Sequence, residues 1–566
     1  MNNLRNPFLW GVAVLLLGSY PFAKIIAQDS DRVVTVEKEY NPEVETARKI
    51  TTLPQSKKQI QTHSVVEYGQ KVVGYQDSKY RISGNLPTQL QPNYTPGYIN
   101  MEAGNYGLTN LGAGYFFKLD ENSELNISGS FKGENASVDL NNVPEFKGVK
   151  PSWDRRDYKT NLNADYAYRF SEVTLSLAAQ AGIDNFNYYR FYSSSFNPTT
   201  NQSFQKYSVQ ANIGSNDANS LPLQFKISTG YSSFRKNHLW DNILKDKSLT
   251  ENLVHSVADL WGDLSMDQVV GLRITMDNLF YSHYYSAYTA LEANPYYNFF
   301  YDGLRLHVGG KVHYNVGRGS FVQVAPDVNV EYPFAEGFSI YAELGGGHQL
   351  NDFRTLELEC PYWASRPMKD AHVRINSVLG VKGEVSNVFD FNLQMGYNVT
   401  KDDICFLNLY PATTTGTGIA YLGAINAKTK NFFAEGKVAF HFPEVIDFTL
   451  AAKTYEWDAD HSAYLLMKPK NEINATVDIP VLSELKINLG YRYVERDRVA
   501  IEYAVGQQVS WKMNPINDLS AGLTLNLIPN LSLYGKVNNL LNREYDEYYA
   551  YAGKGINFIG GLLFRF

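Results

Sequence analysis

The feature that most constrains this chain is a period of two, repeated from end to end. In Ile556 to Phe566 the residues Ile556, Phe558, Gly560, Leu562, Phe564 and Phe566 form one apolar series, and the intervening positions carry Asn557 and Arg565. The pattern returns in Leu519 to Leu527, where Leu519, Ala521, Leu523, Leu525 and Leu527 interleave with Ser520, Gly522, Thr524 and Asn526. It returns again in Leu485 to Tyr493, in Leu125 to Lys132 and in Val173 to Gln180. Side chains alternate between the two faces of a strand, so each run is a strand with one apolar and one polar face. Alternation alone does not say which face meets water. A soluble sandwich turns the apolar face inward, and a membrane barrel turns it outward.

Composition favours the barrel. Mean hydropathy is −0.31, too polar for a bundle of membrane helices, and only residues 8–23 form a long apolar run. A barrel hides its membrane band in every second residue. The 41 tyrosines suit aromatic girdles at the two membrane interfaces. A formal charge of −7 offers no basic footprint, which excludes nucleic acid as the expected partner.

Residues 1–27 read as a secretory signal: a basic start at Arg5, an apolar stretch from Phe8 to Leu17, and a cut after Ala27. Residues 28–97 are charged and proline-punctuated, with a short helix expected from the Asn41 cap to Ile50, and are read as a periplasmic segment. Residues 98–566 are the expected barrel. At roughly 21 residues per strand this length accommodates about 22 strands, within a range of about 20 to 24. Short turns are expected at Asp120 to Ser123, Ser171-Glu172, Asn216 to Ser220, Gly317 to Gly319, Pro443-Glu444 and Ile528 to Asn530. Long loops are expected at 135–157, 187–202, 234–251, 281–296, 351–370, 497–516 and 543–555. Cys360 and Cys405, the two cysteines, read either as a disulfide, which an exported chain permits, or as two free thiols.

The stretch Val537-Asn538-Asn539-Leu540-Leu541-Asn542-Arg543-Glu544-Tyr545, leading into a glycine-bearing last strand that ends in Phe566, resembles the end of TonB-dependent outer-membrane receptors. The resemblance covers about the last thirty residues. It implies a transport barrel in the outer membrane of a Gram-negative bacterium, with Phe558, Phe564 and Phe566 as the signal that the barrel assembly machinery reads. Residues 31–37 are similar to the family's TonB-pairing box, with Val33, Val34, Thr35 and Val36 as the extended core that would pair with TonB by strand addition; a β-prone linker is the alternative. The family also carries a plug domain considerably longer than residues 28–97. The lumen is therefore expected to be filled by that segment, by inward loops or by a partner.

The expected solute-binding residues are loop aromatics: Tyr188, Tyr189, Phe191 and Tyr192; Tyr284 and Tyr285 beside Tyr281 and Tyr288; and Tyr545, Tyr548 and Tyr549. The competing reading places most of them in the outer girdle. In Leu304 to Tyr314 the apolar series faces lipid and leaves Arg305, His307, Lys311 and His313 on the lumen as a basic stripe. No metal site is expected, since His307 and His313 lack a third ligand. No catalytic motif and no cofactor motif is present. The expected function is receptor-type solute transport across the outer membrane; a scaffold barrel that docks periplasmic or surface proteins is the alternative.

Overall fold

The computed structural model describes residues 96–140, 151–190, 199–216, 223–239, 247–282, 285–386, 388–408, 422–442, 445–460, 468–496, 498–504, 507–548 and 551–566. Among the described residues, 22 antiparallel strands close into one barrel that runs from Gly97–Gly104 to Asn557–Arg565. First and last strands pair from Tyr98↔Arg565 to Gly104↔Ile559. The Gly97 and Phe566 amides each donate to the other's carbonyl, at 2.8 and 3.0 Å. Closure leaves no sheet edge, so the backbone groups of the wall are satisfied within the protein.

The polarity is the one expected of a membrane barrel. Leu162, Val209 and Val324 lie on the outer face at 58%, 58% and 66% exposure, while Asn161, Asn163, Ser208, Gln210 and Gln323 beside them turn the other way. Phe558, Phe564 and Phe566 are exposed on the same outer face. On the inner face, several tyrosines lie flat across a cross-strand glycine instead of standing in a girdle. A Cβ at Gly380 would sit 2.3 Å from the Tyr341 ring, whose hydroxyl donates to Asn392 and Gln394. Tyr534 lies across Gly561 in the same way.

One end of the barrel carries short turns such as 170–172, 266–267 and 529–530. At 302–303, Asp302 and Gly303 both have positive φ, 46° and 80°, as a two-residue hairpin that follows strand twist requires. The other end carries the longer connections, above all 350–370 and 539–556. Strands of up to 21 residues, as in Leu422–Phe442, exceed the roughly 10 that cross a bilayer, so the wall continues past the membrane band toward this end.

Three expectations are corrected. The turn at Gly317 to Gly319 lies at the long-loop end, because the Asp302-Gly303 hairpin already supplies the preceding reversal. Residues 288–296, expected as part of the 281–296 loop, belong to the strand Tyr288–Tyr301. Pro295 there faces Leu272 in register, and the partner ladder toward Leu304–Val316 resumes at Tyr296↔Gly309. The 497–516 loop contains a hairpin, Arg498–Ala504 with Gln507–Lys512.

Candidate functional site

The long-loop end is closed from within by two segments that fold into the barrel. The first begins where the strand Phe338–Gln349 loses its neighbour. Pairing with Val322–Ala335 ends at Val328↔Leu344, and the three glycines that follow let the chain turn inward. Register slips between Gly345 and Gly347, and Gly347 adopts a φ of 129°, which a residue with a Cβ rarely takes. Lys311 donates to the Gly346 carbonyl at 3.0 Å and fixes the bend.

Inside, residues 353–359 form a helix of about two turns, Phe353–Glu359. Asp352 caps it by accepting from the Thr355 amide at 3.1 Å. Glu251 on the wall accepts from the Phe353 and Arg354 amides at 2.9 and 3.3 Å. The first-turn donors that a helix leaves orphaned are thus met by a carboxylate of the barrel. One turn on, Lys236 reaches from the wall to Glu357 at 2.8 Å and to Ser365 at 2.7 Å, and Ser365 also donates to Glu357. Both charged side chains are almost wholly buried. The segment then adds a parallel bridge at Trp363↔Leu422 to the Leu422–Phe442 strand.

The second segment leaves the wall at Asn539, a non-glycine residue with a φ of 50°. Its side chain supplies the turn: the amide donates to the Arg543 and Lys554 carbonyls, and the oxygen accepts from the Arg543 amide. A small hairpin, Asp546–Tyr548 with Tyr551–Ala552, follows. Arg496, 1% exposed, donates to the carbonyls of Asp546, Glu547 and Asn514. Arg155 pairs with Glu547 at 3.1 Å and with Glu134 at 3.3 Å, and Lys554 pairs with Glu134 at 2.8 Å. Two cations and two carboxylates balance in a dry setting, where an unmatched charge would be expensive.

The two segments meet in an aromatic core. Tyr362 stacks on Tyr551 at 3.6 Å, Trp153 presents its edge to both, and Tyr548 donates to the Glu359 carbonyl. Tyr188, 1% exposed, donates to the Pro361 carbonyl. Burial pushes the Glu357 carboxyl up despite Lys236, and pushes Asp546 up to about 7 against the pull of Arg496. Burial alone would raise Asp370 too, but hydrogen bonds from His348, Asn351 and Tyr288 hold it below its ordinary value.

The structure thus gives the loop aromatics a role that neither sequence reading assigned. Tyr188 and Tyr548 are core residues of this cap, with Tyr189 packed against them. Tyr285 lies 5.6 Å from the Phe353 ring, and Tyr545 packs with Val494 and Ile516 over Gly553. None of these five rings stands on the lipid face or free at a mouth. Phe191, Tyr192, Tyr284, Tyr549 and Val33, Val34, Thr35 and Val36 lie outside the described residues. Cys360 and Cys405 are both buried free thiols, so the disulfide reading is corrected: Cys360 closes the helix and Cys405 is built into the wall strand Phe389–Asn408.

Arg305, His307, Lys311 and His313 do face inward, opposite exposed Val308, Val312 and Tyr314. They do not form a bare basic stripe. Glu331 lies 4.0 Å from Arg305, Asp327 lies 3.4 Å from His307, and His313 is buried against His348. Acids on the adjacent strand, Val322–Ala335, face Arg305 and His307, which spacing within one strand could not reveal. The residues that tie the cap down, Arg155, Lys236, Glu251, Glu357 and Arg496, gave no sequence signal, since each occupies an ordinary polar position of an alternating strand or loop.

No protein-family model matches the sequence, and no curated protein does. Solved structures match by shape. A siderophore receptor from Acinetobacter baumannii superposes with a TM-score of 0.63 at 12% identity, covering 84% of this chain and 81% of the receptor. The FrpB iron transporter from Neisseria meningitidis gives 0.62 at 12% identity, over 83% and 81% of the two chains. A variant of the ferric enterobactin receptor from Pseudomonas aeruginosa gives 0.61 at 12% identity, over 83% and 80%. The chain therefore has the fold of outer-membrane receptor barrels, the architecture that its resemblance to TonB-dependent receptors implied.

Proposed function

We propose that the chain is a receptor-type transport barrel of the Gram-negative outer membrane whose own inward segments gate the lumen. The observation that carries this reading is the pairing of a polar, ion-paired inner wall with a cap fastened to that wall by a few buried charges. Such a cap is fastened by buried charge pairs and by a shared aromatic core, so a solute that competes for either releases it. The polar wall beneath replaces hydration during passage, and the apolar outer face sets the depth in the bilayer. Residues 31–37, with Val33, Val34, Thr35 and Val36 at their centre, are the candidate TonB contact, and residues 28–97 the candidate periplasmic segment. Phe558, Phe564 and Phe566 are the candidate signal to the barrel assembly machinery.

Reconstitution into liposomes and planar bilayers tests the reading. The intact protein should show low conductance that rises when the cap anchors are removed, and cells should lose energised uptake when residues 31–37 are deleted. A barrel that stays silent after the anchors are cut, and that co-purifies with a protein partner, would support the scaffold reading instead. The closed buried network at the mouth is the observation that favours that second reading.

A further inference from the structure

We propose that His313, His348 and His372 form a binding site for a divalent transition-metal ion at the foot of the first inward segment. His348 and His372 bracket the 350–370 excursion and are directly opposed in register, so they share a face of the sheet. His313, on the strand Leu304–Val316, stacks against His348 with ring centroids 3.9 Å apart and planes 10° apart. His313 and His372 are 2% and 4% exposed.

The hydrogen bonds of these rings leave nitrogen lone pairs unused. His372 Nε2 faces the Val324 carbonyl at 3.2 Å, and a carbonyl only accepts, so Nε2 carries the proton. Its Nδ1 is then a bare lone pair, buried without a hydrogen-bond partner. His313 has no partner at either ring nitrogen. His348 Nε2 is 2.9 Å from the Asp370 carboxylate, which is held in turn by Tyr288 and the Asn351 amide. His372, whose Nε2 donates to a carbonyl while its Nδ1 stays free, is arranged as metal ligands are. Buried imidazole nitrogens without partners cost free energy, and a cation would repay it.

Imidazole suits Zn(II), Cu(II) and Ni(II), whereas Ca(II) and Mg(II) prefer all-oxygen sites, unlike this one of three imidazoles. Among the described residues no group of three His, Cys, Asp or Glu side chains already stands around one point. Binding therefore requires the stacked rings of His313 and His348 to part. The consequence is mechanical: a bound ion would staple both ends of the inward segment to the neighbouring wall. This site stands whether or not the barrel transports.

The test uses tag-free full-length protein in detergent, stripped with a chelator. Calorimetry with Zn(II) should give about one equivalent at micromolar affinity or tighter, and the Cu(II) electron paramagnetic resonance spectrum should carry splitting from at least two imidazole nitrogens. His313→Gln and His372→Gln should each weaken binding at least ~10-fold. His307→Gln should bind as the parent does, because His307 bonds Asn298 and Asp327 away from the cluster. Heat-dependent mobility on gels selects folded preparations, and the parent spectrum needs no variant. An oxygen-only spectrum, no stoichiometric binding, unchanged affinity in folded His313→Gln and His372→Gln, or an equal loss in His307→Gln would overturn the site.

Discussion

Replacing Lys236 by alanine isolates one buried ion-pair anchor of the cap. The change removes an ammonium that is 2.8 Å from Glu357 and 2.7 Å from Ser365, and it leaves Glu357 with a side chain only 1% exposed. Breaking a buried pair by deleting one partner costs about 3–5 kcal/mol, which is roughly two to three and a half powers of ten in the closed-to-open ratio of the segment. The carboxyl can escape part of that cost by taking a proton. Glu357 already has a raised folded pKa, so it favours the folded cap at low pH and loses that contribution as pH rises. The Lys236→Ala cap should therefore be loosest at pH 8 and partly restored at pH 5. Hydrogen exchange of the amides in 353–364 reads the effect directly, and bilayer conductance reads its consequence. The double variant Lys236→Met with Glu357→Leu should recover most of the protection, because an apolar pair of similar volume leaves no charge stranded. Unchanged exchange in folded Lys236→Ala at both pH values would refute the claim that this ion pair holds the cap.

Asp546, with a carboxyl pushed up to about 7 by burial, stabilises the second segment while protonated, so exchange in 546–552 should quicken as pH rises through about 7, and Asp546→Asn should flatten that profile. Gly380→Ala drives a Cβ to 2.3 Å from the Tyr341 ring and should cost ~1–3 kcal/mol, read as an earlier heat-dependent gel shift, while Tyr341→Ala combined with Gly380→Ala should relieve the clash. Val209→Arg puts a charge on the lipid face near the middle of Asn201–Ser215 and should cost ~2–4 kcal/mol, measured by urea refolding into vesicles; a neutral result would mean that this face does not meet lipid.

How much of this was legible depends on range. The barrel was readable because its signal is local: Leu162 and Val209 betray their face by their neighbours one position away, and the strand count follows from length. The direction of the tyrosines was not, because what Tyr341 and Tyr548 do depends on the glycine and the carbonyl they meet, and those partners, Gly380 and Glu359, lie on other elements. The turn at Gly317 misled for a related reason. Gly317 and Gly319 have the chemistry of a tight hairpin, but which end of the barrel a turn occupies is fixed by the parity of all strands before it, so missing Tyr288–Tyr301 inverted the assignment.

The cap marks the limit of single-sequence reading. Lys236 and Glu357 are 121 positions apart, and a lysine in an alternating strand looks the same whether it faces water or a buried carboxylate. The one local clue is Gly345-Gly346-Gly347: three glycines near the end of a strand forfeit side-chain packing and ordering entropy, which a wall strand has no reason to give up. That cost becomes intelligible once the chain must leave the wall and cross the lumen. The polar residues at which the excursion lands, Glu251 at the helix start and Lys236 at its end, then follow as requirements: a helix end and a carboxylate carried out of water must each find a counter-group on the facing wall. A glycine run beside a long connection in a barrel sequence is thus a physical reason to expect the connection inside the lumen.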